Sequence, residues 1–384
     1  MTESTFGNVP QIRFKGFEGY WAEKTLGALG RVAMNKRVFK HQTSETGDIP
    51  FYKIGTFGKE PDAFISRKLF DEYKRKFSYP QKGDLLLSAS GSIGRIVEYS
   101  GKDEYFQDSN IVWIQHDGAI VNAFLKQFYS FVEWAGLEGS TIKRLYNKNI
   151  LETRIVLPKK EEQTQIGNYF RELDSLIGLH QREHDKLVTL KKAMLQRMFP
   201  QPGTTTPEIR FKGFEGDWVE KKVGDIFNYE RPDRYIVESS DYSKEKRIPV
   251  LTANKAFILG YTNETRTFNK SCLIFDDFTL EARFVDFPFM VKSSALKLLT
   301  TQDCEVDDLY FSFLTLKNSK IEIMGHARHY IGIVQTTVVR TPEIVEQQKI
   351  GTYFRTLDAL ITQHATQFQK LQQLKSACLE KMFV

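Results

Sequence analysis

The sequence lacks several features that mark common classes of protein. Its three cysteines, Cys272, Cys304 and Cys378, are odd in number and have no CxxC spacing, so neither a disulfide framework nor a zinc site is expected. No run of about 18 apolar residues could span a bilayer, and the first nine residues lack the basic start and apolar core of a signal peptide. Walker A spacing is also absent, which argues against ATP hydrolysis by this chain. These absences predict a cytoplasmic protein without a membrane segment or a bound metal.

The chain contains two pairs of repeats. The opening repeat, PQIRFKGFEGYW at 10–21, returns 197 residues later as PEIRFKGFEGDW at 207–218. The closing repeat at 162–199 returns 184 residues later at 346–383, beginning EQTQIGNYFRELD in one copy and EQQKIGTYFRTLD in the other. The segments between them do not match, and the second is 13 residues shorter. The chain is therefore a tandem duplication in which two similar frames carry two different inserts.

Positive charge is concentrated in the first half. The net charge of the chain is +6. Residues 1–200 hold 30 Lys and Arg against 24 Asp and Glu, and residues 201–384 hold 24 against 24. The stretch 31–82 alone holds 12 basic and 6 acidic residues. A polyanion such as DNA would account for this distribution, because Lys and Arg neutralise phosphates; a solvated basic face accounts for it equally well.

The closing repeats predict two long helices. Apolar or ring side chains recur at alternating steps of four and three, the 3.5-residue period of a coiled-coil seam. The seam residues are Ile166, Phe170, Leu173, Ile177 and Leu187 in the first copy and Ile350, Phe354, Leu357, Ile361 and Leu371 in the second. The two helices are expected to pair antiparallel, with the inserts at opposite ends. The alternative is that each helix packs on its own domain, as most amphipathic helices do.

Each insert is predicted to be an α+β (mixed α/β) domain. In the first, 49–58, 83–99 and 108–115 have the composition of strands bounded by turn residues, and 121–136 that of a helix. In the second, strands are expected near 247–261 and 271–285, and a helix near 307–316. The predicted divisions are a first domain at 1–160, a helix at 161–199, a linker at 200–206, a second domain at 207–344 and a helix at 345–384.

Both inserts carry small polar residues beside basic ones, notably in SASGSIGR at 88–95 and GSTIKRLYNKN at 139–149. Loops of this kind place amides and Arg on phosphates, and Asn, Gln and Arg also bind base edges. Ordinary surface loops share this composition, so a solvated loop is the alternative for each residue. The candidates in the first insert are Lys36, Arg37, Lys74, Arg75, Lys76, Ser88, Ser90, Ser92, Arg95, Lys143, Arg144 and Asn147. Those in the second are Arg231, Arg234, Asn254, Lys255, Arg283, Lys292, Ser293, Arg328 and His329.

Two segments imitate an active site incompletely. DFPF at 286–289 resembles the (Asp/Asn)-Pro-Pro-(Tyr/Phe) signature of amino-methylating DNA methyltransferases, but Phe287 stands where the first proline belongs. Asp276 and Asp277 followed by Glu281 suggest a nuclease centre, yet Arg283 replaces the expected Lys and the first insert has no counterpart. No catalytic residue and no metal ligand is therefore assigned, although a self-contained methyltransferase or nuclease stays as the alternative function.

The repeated IRFKGFEG(Y/D)W, the GDLLLSASGSIGR strand, the GSTIKRLYNKN loop and the EEQ-led terminal helix resemble the specificity subunit of type I restriction-modification systems over essentially the whole length. The resemblance implies a non-catalytic subunit in which two target recognition domains each bind one half of a split, asymmetric sequence of double-stranded DNA. It implies that the helices set the gap between the halves and dock two methyltransferase subunits. It also implies that motor-nuclease restriction subunits join the complex.

The same resemblance places the cofactors outside this chain. The methyltransferase partners would methylate adenine with S-adenosylmethionine, and the restriction partner would use ATP and Mg²⁺. One departure concerns the second helix, where VVRTPEIVEQQ stands in place of IVLPKKEEQ and Pro342 is expected to be displaced relative to Pro158. The start of the second helix is therefore left open. A coiled-coil interaction protein unrelated to DNA is a third hypothesis.

Overall fold

The computed structural model describes residues 8–134, 144–253, 256–276, 279–319, 321 and 330–384. The chain forms two compact units. The first comprises residues up to His180 together with Gln367–Val384, and the second comprises Gln181–Thr366. Both long helices therefore contribute to both units. Among the described residues, no helix is long and apolar enough to cross a membrane.

Within the described residues, the first unit contains three small sheets, four short α-helices and parts of both long helices. A two-stranded sheet pairs β1 with β9, a four-stranded sheet has the order β2-β8-β5-β6, and a three-stranded sheet has the order β4-β3-β7. The elements are β1 (Ala22–Thr25), α1 (Leu26–Leu29), β2 (Gly30–Met34), β3 (Ile49–Tyr52), β4 (Phe64–Ile65), α2 (Arg67–Lys76), β5 (Leu85–Ser88), β6 (Ile96–Glu98), β7 (Tyr105–Phe106), β8 (Ile111–His116), α3 (Asn122–Phe131), α4 (Asn147–Glu152), β9 (Arg154–Leu157) and α5 (Lys160–Arg197).

The second unit repeats the three sheets of the first. Its sheets have the orders β10-β18, β11-β17-β14-β15 and β13-β12-β16, which match those of the first unit strand for strand. The elements are β10 (Val219–Lys222), α6 (Val223–Ile226), β11 (Phe227–Glu230), β12 (Ile248–Leu251), β13 (Ile258–Thr262), β14 (Cys272–Asp276), β15 (Ala282–Val285), β16 (Met290–Val291), β17 (Leu296–Thr301), α7 (Leu309–Asn318), β18 (Val338–Thr341) and α8 (Ile344–Met382). The inserts therefore share one fold although their sequences do not match.

Several predicted elements have different limits in the structure. The segment predicted as one strand at 83–99 is a hairpin, in which β5 and β6 flank a turn at residues 89–95. The predicted helices are shifted by a few residues to α3 and α7. The sequence interpretation missed α2, which begins after Ser66, whose hydroxyl accepts a hydrogen bond from the Leu69 amide.

The opening repeat connects each unit to a long helix. Arg13 donates to both carboxylate oxygens of Glu162, at 2.6 and 2.7 Å, and to the Gly19 carbonyl. Glu162 is only 1% exposed, and its hydrogen bond raises the pKa of Arg13. Arg210 makes the same contacts with Glu346 and Gly216 in the second unit. The buried, bidentate pair fixes the opening repeat on the first turn of the helix.

Each opening repeat also packs on the end of the other copy's helix. Trp21 contacts Phe383 edge to face, and the Ile12 amide donates to the Lys381 carbonyl. In the second unit, Trp218 contacts Phe199 in the same way, and Ile209 donates to Arg197. Each unit therefore needs both copies of the closing repeat to complete its core.

The two helices begin at equivalent positions. The Gln163 side chain donates to the Pro158 carbonyl at 3.0 Å, and Gln347 donates to Pro342 at 2.9 Å. The helices start at Lys160 and Ile344, which are 184 residues apart like the repeats themselves. The expected displacement of Pro342 was therefore wrong. Both prolines precede Glu-Gln by the same four-residue step, so the same glutamine can bind each carbonyl.

The first seam residues lie in the domain cores as well as against the opposite helix. Ile166, Phe170 and Leu173 are buried with α3 and Phe383 in the first unit; Ile350, Phe354 and Leu357 are buried with α7 and Phe199 in the second. Gly167 permits this contact, because an added Cβ would lie 2.7 Å from the Ala123 side chain. The remaining predicted seam residues are half-buried: Ile177, Leu187, Ile361 and Leu371. Both sequence hypotheses for the helices therefore apply, each to a different part.

Within each unit the two helix segments run antiparallel. In the first unit, Tyr169 contacts Cys378 and Asp174 pairs with Lys375. In the second, Lys191 pairs with Asp358, and Phe199 packs on Phe354. Residue numbers rise along one helix as they fall along the other, which confirms the predicted antiparallel pairing.

Candidate nucleic-acid interfaces

One end of the four-stranded sheet gathers most candidates of the first unit. β8 runs antiparallel to both β2 and β5, so the ends of β2 and β5 lie beside the start of β8. β6 begins at the same end because it forms a hairpin with β5. Residues that follow β2, precede β8 or belong to the β5–β6 turn therefore lie close together. We call Lys36, Arg37, Ser90, Asn110 and Arg144 the first strand-end surface.

The two basic residues after β2 are exposed and held by their neighbours. Arg37 donates to Asp108 at 2.7 Å, while its side chain stays 60% exposed. The Lys36 ammonium lies 5.1 Å from the centre of the Phe77 ring, and its carbonyl accepts from the Tyr105 hydroxyl at 3.0 Å. Both side chains are therefore exposed at the surface, and Arg37 is held there by its ion pair with Asp108.

Much of the charge on α2 is neutralised within the domain. Asp103 accepts from Arg67 at 2.5 Å and from Lys74 at 3.2 Å, and these hydrogen bonds lower the pKa of Asp103. Lys76 pairs with Glu72 one turn earlier. Arg75 is exposed and makes no ion pair with the described residues. Of the three predicted cations on this helix, only Arg75 keeps an uncompensated charge.

The serines of the β5–β6 turn are used inside the protein. Ser88 is 1% exposed; its hydroxyl accepts from the Arg95 amide and donates to the Ser92 carbonyl. Arg95 in turn donates to the Phe57 carbonyl at 2.7 Å. Ser92 is exposed at the turn. Ser88 and Arg95 therefore shape the turn, and among these residues Ser92 is the one open to a ligand.

Arg144 joins the turn to the start of β8. It forms an isolated β-bridge with Ser90, and its guanidinium donates to the Asn110 side chain at 3.2 Å. Ser90 donates to the same oxygen at 2.8 Å. Asn147 begins α4 and is exposed, three residues beyond Arg144. Lys143 lies outside the described residues.

The sequence interpretation missed residues 107–110, the loop that enters β8. Ser109 has φ 53, a left-handed conformation that is uncommon outside glycine. Asn110 contacts two predicted candidates, Ser90 and Arg144. DSN before the apolar run IVWI is typical of a turn before a strand, but this pattern does not indicate that Asn110 contacts Ser90 and Arg144.

The second unit presents its candidates at the same sheet end. β2 and β8 pair Gly30 with His116, and β11 and β17 pair Phe227 with Thr301. This register, in which Gly30 corresponds to Phe227, makes Arg234 the equivalent of Arg37; Arg37 lies three residues past β2 and Arg234 four residues past β11. We call Arg231, Arg234, Arg283, Lys292 and Ser293 the second strand-end surface. Arg231, Arg234, Lys292 and Ser293 are exposed.

Aromatic rings support two of these cations. Lys292 donates to the Tyr242 hydroxyl at 3.0 Å and lies over its ring. The Arg283 guanidinium lies 4.6 Å from the centre of the Phe257 ring and pairs with Glu281 at 3.1 Å. A cation held over a ring keeps its charge and a defined position. The other candidates of this domain, Asn254, Lys255, Arg328 and His329, lie outside the described residues.

The two segments that resemble parts of an active site have structural roles. Asp276 ends β14 and is buried; its side chain accepts from the Thr279 amide, and its carbonyl accepts from Leu280. Asp277 lies outside the described residues. In DFPF, Phe289 is fully buried in a hydrophobic cluster and so cannot stack on a base. Among the described residues, no group of three or more His, Cys, Asp or Glu could hold a metal ion.

Backbone strain marks both surfaces. The described residues contain two non-glycine residues with positive φ, Ser109 at 53° and Leu280 at 58°. Ser109 lies in the loop entering β8, and Leu280 lies in the turn between β14 and β15. Strained backbone of this kind is concentrated at binding sites. The strained residues lie at the same end of the four-stranded sheet in both domains. This supports that end of the sheet as the binding surface.

The sequence matches the model of the Type I restriction modification DNA specificity domain twice, over residues 18–189 and 215–375. A putative type I restriction enzyme specificity subunit of Haemophilus influenzae is 54% identical over 152 residues, which are 39% of this chain and 40% of that protein. The EcoR124I/EcoR124II specificity subunit of Escherichia coli is 47% identical over 125 residues, 31% of this chain and 30% of that protein. These matches thus span less than half of either relative.

A solved structure shows the same fold over the whole chain. The S subunit of a type I restriction-modification system from M. genitalium matches with a TM-score of 0.70 and 16% sequence identity. The match covers 98% of this chain and 99% of that one. At this identity the likeness concerns the fold alone.

Proposed function

This chain belongs to the type I restriction-modification DNA specificity domain family, and from that premise we propose that it is the non-catalytic specificity subunit of a type I restriction-modification complex. One observation carries the proposal. Two domains of identical strand order present different side chains at the same sheet end, Asn110 in the first and Ala295 in the second. A common fold with unlike surfaces fits two unlike half-sites. The DNA target is therefore bipartite and asymmetric.

The division of labour follows the repeats. Residues 1–160 form the first target recognition domain and residues 207–344 the second. The helices at 161–199 and 345–384, with the linker 200–206, join them and set the spacer between the half-sites. The exposure of each residue and its other contacts indicate whether it binds a phosphate or a base.

On each domain the exposed cations bind the DNA backbone. Arg37 and Arg234 stand at equivalent positions and are exposed, so they suit phosphates in the two half-sites. Lys36, Arg75, Arg231 and Lys292 add further positive charge around them. Phosphate contacts fix orientation and register, while polar side chains at the sheet end contact base edges.

The chemistry belongs to partner subunits. Two methyltransferase subunits dock on the helices and methylate adenine with S-adenosylmethionine, and restriction subunits with ATP and Mg²⁺ complete the nuclease. The buried Phe289 and the internal hydrogen bonds of Asp276 support this assignment over a self-contained methyltransferase or nuclease. The contrast between the two sheet ends also favours DNA recognition over a general coiled-coil interaction protein.

The test is to co-express the chain with its methyltransferase subunit and to map adenine methylation across the genome. A split asymmetric motif that is absent when this chain is left out is the expected result. Replacing residues 22–158 by the insert of a relative should change one half of the motif only. A stable complex with no motif, or methylation by the chain without its partner, would overturn the proposal.

Salt dependence gives an independent check. If exposed Lys and Arg side chains bind phosphates, the affinity of the complex for DNA must fall steeply as salt is raised. DNA binding that does not respond to salt would instead favour the interaction-protein hypothesis.

A further inference from the structure

We propose that Asn110 determines one base pair of the first half-site by donating the N–H groups of its amide to an acceptor on a base edge. The inference rests on the proposed function and names a residue and a chemistry within it. Asn110 is half-buried at the start of β8, in the centre of the first strand-end surface. No pattern in the sequence distinguishes it from the other asparagines of the insert.

The orientation of the Asn110 amide is fixed by chemistry. Arg144 carries only donors, so the Asn110 atom 3.2 Å from its guanidinium must be the oxygen Oδ1. Ser90 donates to the same oxygen at 2.8 Å. Both acceptor positions of Oδ1 are thereby occupied. The nitrogen Nδ2 has no hydrogen-bond partner among the described residues, and it is not among their buried unsatisfied atoms, so it is open to solvent.

This arrangement selects the base. An asparagine that binds adenine bidentately needs its oxygen for the adenine amino group and its nitrogen for N7. In Asn110 the oxygen is already engaged, so the side chain acts as a donor only. Its targets in the major groove are the acceptors O6 and N7 of guanine, N7 of adenine and O4 of thymine. Guanine alone presents two acceptors and no donor there, so Asn110 favours guanine and disfavours cytosine, which presents only an amino group.

The loop that carries Asn110 is held rigid before any DNA is bound. The Gln107 amide donates to the Tyr52 carbonyl, and the Gln107 side chain accepts from the Ile54 amide at 2.9 Å. Asp108 is paired with Arg37. Ser109 adopts its left-handed conformation between these anchors. Strain retained in an anchored loop is typical of a pre-organised binding residue.

The equivalent loop of the second domain has different chemistry. Residues 292–295, Lys-Ser-Ser-Ala, lead into β17 as residues 107–110 lead into β8, and the Lys292 amide donates to Leu251 as Gln107 donates to Tyr52. Ala295 stands where Asn110 stands in the first domain. The proposed contact is thus specific to the first half-site.

The experiment compares the methylated motif of the complete methyltransferase complex with that of two variants. Asn110→Asp keeps an oxygen for Ser90 and Arg144 but replaces the donor by an acceptor, so the preference at one position should move from guanine towards cytosine or adenine. Asn110→Ala should relax that position, with about a tenfold loss of discrimination. The second half-site and the spacer should not change. Asn168→Asp, on the exposed side of α5, controls for the added charge.

Ser90→Ala tests the positioning role of the buried hydroxyl. It removes one of the two donors that orient the Asn110 amide, so the same single position of the motif should broaden, less than in Asn110→Ala. A purely structural role would lower methylation at all sites without changing the motif. Thermal unfolding of each complex shows whether the variant is folded.

The outcomes separate the two proposals. If the unaltered complex gives no split motif, the proposed function fails. If it gives one and Asn110→Ala gives the same motif, the inference fails alone. If Asn110→Ala reduces methylation uniformly at every site without changing the motif, the amide binds phosphate or has a structural role only, and the inference is again overturned.

Discussion

The Asp174 carboxylate lies 2.6 Å from the Lys375 ammonium, and the repeat reproduces this ion pair with its partners exchanged. In the second unit Lys191 occupies the position of Lys375, and Asp358 that of Asp174, at 2.5 Å. Each pair is backed by a side chain of its own domain, since Gln127 donates to Asp174 and the Tyr310 hydroxyl donates to Asp358. The ion pairs therefore fix the register of the two antiparallel helices at one point in each unit.

Charge reversal tests this register. Asp174→Lys brings two ammonium groups into contact and should destabilise the protein, whereas adding Lys375→Asp should recover most of the loss. Both side chains are partly exposed, so we expect a coupling energy of about 1 kcal/mol. A double-mutant cycle of denaturant unfolding measures it. The same cycle at Lys191 and Asp358 is the internal control, and additivity at both sites would contradict the assignment.

The buried ion pair of Arg13 and Glu162, beneath the opening repeat, should contribute more to stability than the pair of Asp174 and Lys375. Arg13→Ala leaves the Glu162 carboxylate, 1% exposed, without its guanidinium, and such a change costs about 3 kcal/mol or more. Adding Glu162→Gln should recover a large part, because no charge then stays buried. Arg210→Ala is the matched variant in the second unit and should cost a similar amount. The measurement is the free energy of unfolding of each variant. A decrease below about 1 kcal/mol would show that the ion pair is replaceable.

The length of the helices should set the spacer of the DNA target. Removing seven residues from each helix, 177–183 and 361–367, leaves both ion pairs intact and keeps the 3.5-residue period. Seven residues correspond to about 10 Å of helix, or about 3 base pairs of DNA. Methylation mapping should return both half-sites with a spacer shorter by that amount. An unchanged spacer, or altered half-sites, would contradict the role of the helices.

Asp103 should weaken DNA binding by neutralising α2. Its carboxylate accepts hydrogen bonds from Arg67 and Lys74, and these lower its pKa. Asp103→Asn should release both cations, raise the affinity of the complex for DNA several-fold at low salt and steepen the salt dependence, without changing the motif. Asp185→Asn, on exposed α5, makes the same charge change elsewhere. If both variants behave alike, α2 does not face the DNA.

Local features of the fold could be predicted because they depend on neighbouring residues. The long helices follow from the 3.5-residue period and from the prolines that precede them, and their observed starts differ by 184 residues like the repeats. α2 was missed although Lys74, Arg75 and Lys76 had been singled out, because its apolar positions are few and its start depends on the Ser66 cap. The turn at 89–95 was taken for a strand because its glycines and serines are flanked by apolar runs.

The contacts of the candidate site residues were harder to predict from the sequence than the fold. Composition identified Ser88, Ser90 and Arg144, but it could not show that the two serine hydroxyls are used inside the domain. Nor could it identify Asn110, which matters because Ser90 and Arg144 both bind it. These contacts join residues 20 and 34 positions apart in the sequence. No local pattern encodes them.

The sequence by itself determined that the chain is a duplication, that two antiparallel helices connect its halves and that positive charge accumulates in the first. Helix periodicity and capping are short-range properties, and repeated residues are visible directly. Only the tertiary structure decided that the unlike inserts share one strand order and that their scattered polar residues meet at one sheet end. Backbone hydrogen bonds between strands distant in the sequence, such as β2 and β8, produce both results, and they tolerate almost any exposed side chain. The surface residues are therefore free to differ while the fold is kept.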